Sequence, residues 1–394
     1  MLLSVALIFS IGLILAEIFG KIKLPRFLGM ILTGILLAPI LSPDLLAISA
    51  DLRKIALVII LLRAGLSLDI QDLKQIGRPA ILMSFIPAIL EITAVVIFAP
   101  MFFDITIIEA AILGSVLAAV SPAVVVPKMI KLMKQGYGTE AKVPHLVMAS
   151  ASVDDIFVIV LFTSFIGMYE TGEFSFSSIA FVPIAILTGI FLGIVLGFAL
   201  SILFTHFRVR DSVKVLIIIA VSLFAIALED VMQSMIPISS LLSVMVLGIM
   251  FLNQSKERAL RLREKFDRVW VFAELVLFVL VGAAVDIRIA FAAGGFALLL
   301  LVIELSFRFL GVQLCLIKSK YNKNERVFAG ISYLPKATVQ AAIGALPLAY
   351  GVPHGDLILA LAVFSIIITA PLGAIGIDLS YKRLLKKEEN KNAE

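Results

Sequence analysis

Two adjacent carboxylates, Asp154 and Asp155, lie in a run from Leu146 to Met168 that is otherwise apolar enough to cross a bilayer. Each charge at the centre of a membrane helix costs roughly 2.5–3.5 kcal/mol on insertion scales. Such residues therefore face a water-filled cavity or a charge of opposite sign, and they commonly handle ions or protons. The pair predicts a cation or proton site at the middle of the membrane.

The two aspartates are expected to have different roles. Neighbouring residues of a helix point about 100° apart, so Asp154 and Asp155 cannot address one small ion equally. One should bind the ion, and the other should line the access path or form a salt bridge. Because burial disfavours the ionised form of a carboxyl group, a proton competes there with a hard monovalent cation. That competition is a sufficient mechanism for cation/proton exchange.

Two prolines predict interrupted helices beside the aspartates. Pro122 and Pro335 each fall inside an apolar segment, where a proline removes a backbone hydrogen bond and clashes with the preceding turn. At membrane depth the freed carbonyls must line a cavity or find partners on neighbouring helices. Ser121 and Thr338 are close to these prolines, and we include them with the aspartates in the candidate ion site. Two ordinary proline kinks are the alternative.

Of the other charged residues within apolar segments, we take Glu91, Arg308 and Lys336 as candidate charge partners of the site. A Glu91–Arg308 pair would offset the burial of both charges. The alternative partner of Arg308 is Glu304, four residues earlier on the same helical face. Lys336 directly follows Pro335, and we expect it to balance the charge of carbonyl ends or of a carboxylate.

The composition excludes several classes of protein. With 61% hydrophobic and 15% charged residues, the chain is too apolar for a soluble globular protein, and it lacks the alternating pattern of a membrane β-barrel. Its net charge of +5 comes from basic residues in short loops, which does not indicate nucleic acid. One cysteine and three histidines favour neither a disulfide framework nor a transition-metal site. We therefore expect a polytopic α-helical membrane protein that is not an enzyme, has no cofactor and binds no nucleic acid.

Thirteen apolar segments have the length that a membrane crossing needs. They cover residues 2–20, 26–42, 52–69, 78–99, 106–131, 145–168, 179–204, 212–229, 236–252, 268–285, 289–316, 326–350 and 356–378.

The distribution of basic residues predicts the orientation. With thirteen crossings, 27 of the 33 Lys and Arg fall on one side, including a basic loop at 256–268, whereas the opposite loops hold only Arg53, Lys54 and Arg288. The positive-inside rule then places the C-terminus in the cytoplasm and the N-terminus outside. Short loops and no targeting extension favour a prokaryotic cytoplasmic membrane, with the first segment retained.

Matching residues recur at a nearly constant spacing of 212 to 217 positions. The matched pairs are Pro25 with Pro237, Asp69 with Asp286, Glu91 with Arg308, and Pro122 with Pro335. Segments 1–6 would then repeat as segments 8–13, with segment 7 between them. Seven intervening segments invert the second copy, as in many secondary transporters. The predicted fold is therefore all-α, with two inverted six-helix repeats, one joining helix, and two interrupted helices that cross.

Several stretches resemble the NHA subfamily of sodium/proton exchangers, within the monovalent cation/proton antiporter superfamily. The similar stretches are Leu61–Asp69, Val120–Pro127, Gly136–Gly138, Ser152–Ile156 and Leu334–Ala342. They occur in order over most of the chain, and Glu91 and Arg308 also fall where that subfamily carries an acid and an arginine.

The resemblance implies sodium(lithium)/proton antiport by a homodimer with an elevator-like motion, the transported ions being Na⁺ or Li⁺ and H⁺. It implies that Asp155 is the principal ion-binding carboxylate and that Asp154 is its neighbour. Residues 1–70 and 212–286 would form the dimerisation scaffold and residues 78–169 and 289–378 the moving core. Residues 179–205 would connect the two domains, and residues 379–394 would form a cytoplasmic tail.

Arg308 departs from the pattern of electrogenic relatives, many of which carry lysine at that position. Arginine does not release its proton in proteins, so the number of exchanged protons is left open. A sodium-coupled organic-solute symporter of similar fold and a potassium/proton antiporter are the alternative functions. An intramembrane aspartyl protease is disfavoured because its two carboxylates would share a proton from different helices. No protein partner beyond a second copy can be inferred.

Overall fold

The computed structural model describes residues 1–67, 77–171, 176–207, 209–232 and 238–388. In these ranges the chain is almost wholly helical, with one 3₁₀ turn at Ala38–Ile40. The α-helices are α1 Leu2–Lys21, α2 Arg26–Leu37, α3 Pro43–Ala47, α4 Ser49–Gly65, α5 Arg78–Met83, α6 Ile86–Phe102, α7 Ile107–Leu117, α8 Pro122–Lys134, α9 Val143–Thr171, α10 Phe176–His206, α11 Asp211–Met232, α12 Ser240–Gln254, α13 Lys256–Ala284, α14 Ile287–Cys315, α15 Lys323–Ser332, α16 Thr338–Ile343, α17 Leu346–Ala349 and α18 Gly355–Leu384.

The helices match the apolar segments of the sequence. Each of the thirteen predicted segments overlaps at least one helix. Within the described residues, eight helical stretches are long and apolar enough to cross a membrane, and three shorter apolar ones accompany them. The multi-pass helical architecture expected from composition is therefore present, whereas the number of crossings stays a prediction.

One predicted loop is wrong. The basic stretch 256–268 is helical, because α13 begins at Lys256. Ala259, Leu262 and Phe266 are buried at 0%, 1% and 0% exposure, and their spacing of three and four residues gives this stretch an apolar helical face. Arg53, which was placed in a loop, lies inside α4, where it is buried and its guanidinium donates to the carbonyl of Leu280.

The chain divides into two compact units. The first comprises Met1–Leu15, Gly29–Asp69 and Ile159–Ala284, and the second comprises Ala16–Leu28, Ile70–Val158 and Val285–Glu394.

Reciprocal glycines bring pairs of helices of the first unit into backbone contact. A Cβ added at Gly34 of α2 would collide with the carbonyl oxygen of Val279 in α13, and one added at Gly282 would collide with the backbone of Ile31 in α2. Glycine is needed at such crossings because only the absence of a side chain lets the backbones approach so closely.

The same arrangement occurs where α4 crosses α12. Gly65 of α4 faces the carbonyl of Met245, and Gly248 of α12 faces the backbone of Leu62 and Leu66. Gly34 and Gly248 are 214 residues apart, and Gly65 and Gly282 are 217 apart, which is the spacing of the predicted repeat. The inversion of the repeat stays a prediction.

A further glycine stripe seats α10 on α12. Gly189, Gly193 and Gly197 recur every fourth residue, on one side of α10. Added Cβ atoms at the first two would lie 2.6 Å from the carbonyl oxygens of Ser239 and Ser243. Small residues at this spacing are typical of helix pairs in membranes.

The second unit is built around α14 and α18. Helix α14 packs against α6, α15 and α18, and α6 packs against α7. At one end of this unit the chain after α18 pairs with the loop after α8. Gly138 donates to the carbonyl of Lys386, and Glu388 donates to that of Gly136.

Some residues used in the sequence predictions lie outside the described ranges. They are Asp69, Pro237, the tail residues 389–394, and two of the basic residues counted for the orientation, Lys74 and Arg208. Two of the matched pairs of the predicted repeat depend on this set.

Gly34→Ala should destabilise the protein, because its methyl group would meet backbone atoms of Val279 and Ala283, which cannot rotate away. Overpacking of this kind costs about 1–3 kcal/mol, and we expect a lower thermal midpoint of the detergent-solubilised protein. Gly167→Ala is the matched control, since an added Cβ there would meet no atom within 4 Å in the part of the chain that the structure describes. Equal midpoints for the two variants would contradict the close crossing.

Candidate functional site

The site begins with two interruptions of helices that contact each other. The first break, residues 118–121, separates α7 from α8, and Pro122 is the first residue of α8. The second break, residues 333–337, contains Pro335 and separates α15 from α16. The backbone N–H of Ser121 donates to the carbonyl of Pro335 at 2.8 Å. This bond joins the two breaks directly.

Arg308 of α14 connects both breaks to two carboxylates. Its Nε donates to the carbonyl of Tyr333 at 2.7 Å, and its Nη1 donates to that of Ala118. Nη1 also donates to Glu91 Oε2 at 2.6 Å, and Nη2 donates to Asp154 Oδ2 at 2.7 Å. A planar guanidinium presents five donors in a fixed fork, which suits this set of acceptors.

Lys336, in the second break, contacts the same glutamate from the other side. Its Nζ donates to Glu91 Oε1 and to the carbonyl of Leu117, the last residue of α7. Glu304 Oε1 lies 3.7 Å from this ammonium group. The backbone N–H of Lys336 donates to Thr369 Oγ1 on α18 at 3.0 Å. Lys336 falls in the predicted crossing 326–350, but it lies in the non-helical chain between α15 and α16.

We call Glu91, Asp154, Arg308 and Lys336 the charge cluster. Their side chains are at most 1% exposed, and with every group ionised their formal charges cancel. Burial of ions is tolerated only where they are paired and their remaining donors and acceptors are satisfied. The low dielectric of the site strengthens each of these hydrogen bonds, and it would equally penalise a missing partner.

The two aspartates differ in their contacts. Asp154 Oδ2 accepts from Arg308 and from the backbone N–H of Val120 at 2.9 Å. Asp155 is 6% exposed, and among the described residues its buried Oδ1 has no hydrogen-bond partner. The same holds for Asp154 Oδ1 and Ser121 Oγ. Three buried oxygens of predicted ion ligands are thus left without donors.

The structure brings together most, but not all, of the predicted site residues. Glu91, Asp154, Arg308 and Lys336 form one hydrogen-bonded cluster, and the backbone N–H of Ser121 donates to the carbonyl of Pro335, the residue before Lys336. Among the described contacts, neither the buried Thr338 hydroxyl nor Asp155 is hydrogen-bonded to this cluster. The hydrogen bonds of Arg308 go to Glu91 and Asp154 rather than to Glu304.

Gln340 was not among the predicted site residues, although it connects the two breaks. Its Nε2 donates to the carbonyls of Leu117 and Ala119 at 3.0 and 2.7 Å. Its Oε1 accepts from the backbone N–H of Ala337 at 2.8 Å. A carboxamide is the side chain that offers donors and an acceptor at once. The signal available in the sequence was a neutral amide five residues after a proline break.

Comparisons with known proteins give a consistent result. A family model described as "Sodium/hydrogen exchanger, transmembrane" matches residues 5–379. The human sodium/hydrogen exchanger 9B2 is 33% identical over 99% of this chain and 76% of its own length. The human sodium/hydrogen exchanger 9B1 is 30% identical over 89% of this chain and 71% of its own length.

A solved structure has a similar fold. The sodium proton antiporter MjNhaP1 from Methanocaldococcus jannaschii aligns with a TM-score of 0.84 at 19% identity, covering 97% of this chain and 99% of that one. At this identity the likeness shows the fold, and the expected antiporter architecture is confirmed.

Arg308→Lys should lower stability although it keeps the charge, because an ammonium group cannot reach four acceptors in the geometry of the guanidinium. Leaving one buried acceptor unpaired costs about 1–3 kcal/mol, measured as a lower free energy of unfolding in detergent. The same exchange at Arg63, whose pair with Asp267 is partly exposed, should cost less than about 1 kcal/mol. A larger loss of stability for Arg63→Lys than for Arg308→Lys would contradict the importance of the guanidinium geometry at Arg308.

Gln340→Glu should also destabilise the protein, although the two side chains have the same shape. An ionised carboxylate would place oxygen against the carbonyls of Leu117 and Ala119, and a protonated one could donate to only one of them. We expect a loss of roughly 1–3 kcal/mol, which decreases at low pH in a thermal unfolding series. A pH-independent loss would speak against this account.

Proposed function

The chain belongs to the sodium/hydrogen exchanger family, and we propose that it is a secondary active antiporter in which Na⁺ or Li⁺ and H⁺ compete for Asp155. The observation that carries this proposal is the set of unpartnered buried oxygens at Asp154, Asp155 and Ser121. Transporters coordinate Na⁺ at discontinuous helices near the middle of the membrane, and Asp154 and Ser121 lie at the first of the two breaks.

Asp155 is the better candidate for the exchanging group. Asp154 accepts two hydrogen bonds through Oδ2, one from a guanidinium and one from the first break. Oδ2 of that carboxylate is therefore already occupied by two donors, one of which ties it to the backbone. Asp155 receives no such bond from the described residues, so its negative charge has to be matched by something that arrives from water.

Charge balance then accounts for the exchange. The charge cluster is formally neutral without Asp155, so an ionised Asp155 with no ion bound adds one unbalanced negative charge to a buried site. An uncompensated buried ion is strongly unfavourable. Either a sodium ion or a proton restores neutrality, and both cannot bind the same carboxylate. Movement of the site across the membrane is therefore favoured only when one of them is bound.

Asp154 is the residue through which binding is communicated to the breaks. It neighbours Asp155 and contacts Val120 and Arg308, and Arg308 in turn holds the carbonyls of both breaks. We propose that binding at Asp155 alters this set of bonds and allows an elevator-like motion. The moving body would be the predicted core, residues 78–169 and 289–378, which supplies every residue of the charge cluster.

The proposed assembly follows from the resemblance to sodium/proton exchangers. Residues 1–70 and 212–286 would hold two copies together as a homodimer, and residues 179–205 would connect scaffold and core. The predicted orientation, with the C-terminus in the cytoplasm, and the prokaryotic origin stay predictions.

Asp155→Asn should abolish exchange while leaving the protein folded, because an amide carries no charge for a cation to balance and does not exchange a proton near neutral pH. In proteoliposomes with an imposed sodium gradient, the wild type should move protons in the opposite direction and the variant should not. The same assay with lithium and potassium would define selectivity.

Asp104→Asn is the control, since it neutralises an exposed aspartate between α6 and α7 and should leave transport unchanged. Folding of both variants is checked by thermal unfolding in detergent. Full transport by Asp155→Asn would remove the assignment of the exchanging group, whereas no exchange by the wild type would remove the function.

A further inference from the structure

Glu304 is a buried carboxyl group that the exchange described above does not use. It lies on α14, one helical turn before Arg308, so both side chains project from the same face of the helix. Its side chain is 0% exposed. A glutamate is seldom fully buried in a protein unless it is paired, so its surroundings need an explanation.

Both carboxylate oxygens of Glu304 lack a hydrogen-bond partner among the described residues. The ammonium group of Lys336 is 3.7 Å from Oε1, which is within ion-pair range but too long for a hydrogen bond. By contrast, each oxygen of Glu91 accepts a hydrogen bond from a cation. The two buried glutamates are therefore held very differently.

The two cations of the charge cluster are already engaged. Arg308 uses its donors on Glu91, Asp154 and two carbonyls. Lys336 donates to Glu91 and to the carbonyl of Leu117. Two positive charges thus balance two carboxylates, and an ionised Glu304 would add an unmatched negative charge. A buried acid in that position takes up a proton instead.

We propose that Glu304 is a second proton-binding group of the antiporter, separate from Asp155, whose proton is taken up and released during the transport cycle. This inference rests on the proposed exchange function and concerns how many protons are carried. Glu304 then has a role of its own, beyond that of a possible partner of Arg308.

Lys336 is the residue that could change the state of Glu304. It lies between Glu91 and Glu304 and belongs to the second break, so a movement of that break changes both distances. When the ammonium group moves toward Glu304, the ionised carboxylate is stabilised. The O–H bond then breaks, the proton passes to water on the open side, and the carboxylate is left facing Lys336. The return movement reverses the step.

The charged surroundings of Glu304 are well defined. Glu91 faces it from α6, Arg308 from its own helix and Lys336 from the second break. The remaining charged residues of the packed helices lie near helix ends, and they are Arg78 on α5, Lys323, Glu325 and Arg326 on α15, and Asp356, Asp378, Lys382 and Arg383 on α18. A change at Glu304 therefore acts through the charge cluster.

The test is the coupling ratio of Glu304→Gln, which mimics the protonated acid but cannot release a proton. Purified full-length protein is reconstituted in proteoliposomes, and opposing sodium and pH gradients are imposed. The pair of gradients at which net flux is zero gives the number of protons exchanged per sodium ion. The variant should still exchange, with about one proton fewer per sodium ion than the wild type, since a carboxyl group carries a single O–H. An unchanged ratio overturns the proposal.

Two further measurements keep the test decisive. Asp378→Asn neutralises a partly exposed carboxylate paired with Lys128 and should keep the wild-type ratio. If Glu304→Gln folds but does not transport, infrared spectra of the wild type and the variant are compared as a function of pH. The measured quantity is the carboxylic-acid band that changes with pH in the wild type. Its loss in the variant supports the proposal, and an unchanged band overturns it. Failure of the wild type to exchange would instead remove the proposed function.

Discussion

Two buried cations hold the centre of this protein together. The helix breaks free carbonyls at Leu117, Ala118 and Tyr333, and in a membrane each unsatisfied backbone group costs several kcal/mol. Arg308 and Lys336 satisfy these carbonyls and also neutralise Glu91 and Asp154. Neither cation can be removed without exposing both kinds of acceptor, so the breaks and the carboxylates behave as one unit.

The limited number of donors on these two cations also determines which buried carboxylates are left without a hydrogen-bond partner. Glu91 and Asp154 take up the donors, and the remaining buried oxygens of Asp155 and Glu304 are left without hydrogen bonds among the described residues. Such oxygens are rare in folded proteins, because each carries a desolvation penalty. A group that can bind an ion or a proton from water is relieved of that penalty, which is the physical basis of both proposed sites.

The first unit is held by a different kind of contact. Its helix pairs meet through glycines whose added Cβ atoms would collide with backbone oxygen, as at Gly34 and Gly65. Close packing of this kind needs no charge and has little room to adjust. In the second unit, hydrogen bonds between breaks and side chains set the geometry, and such bonds can exchange partners.

The sequence by itself determined the membrane class, the segments that become helices, the two breaks and the small set of intramembrane charges. Apolar length, proline and the cost of burying an ion are properties of residues, so they can be recognised without knowing which helices touch. The stretch 256–268 was assigned to a loop because of its high charge, although the spacing of Ala259, Leu262 and Phe266 already indicates an apolar helical face.

Only the tertiary structure decided which acid takes which cation. Glu91 and Glu304 were both plausible partners of Arg308. In the structure α6 lies close enough to α14 for Arg308 to pair with Glu91, and Arg308 also pairs with Asp154. The role of Gln340 likewise depends on carbonyls more than 200 residues away in the chain. Pairing of buried charges depends on distances between helices that are not neighbours in sequence, and these distances are a property of the packed chain.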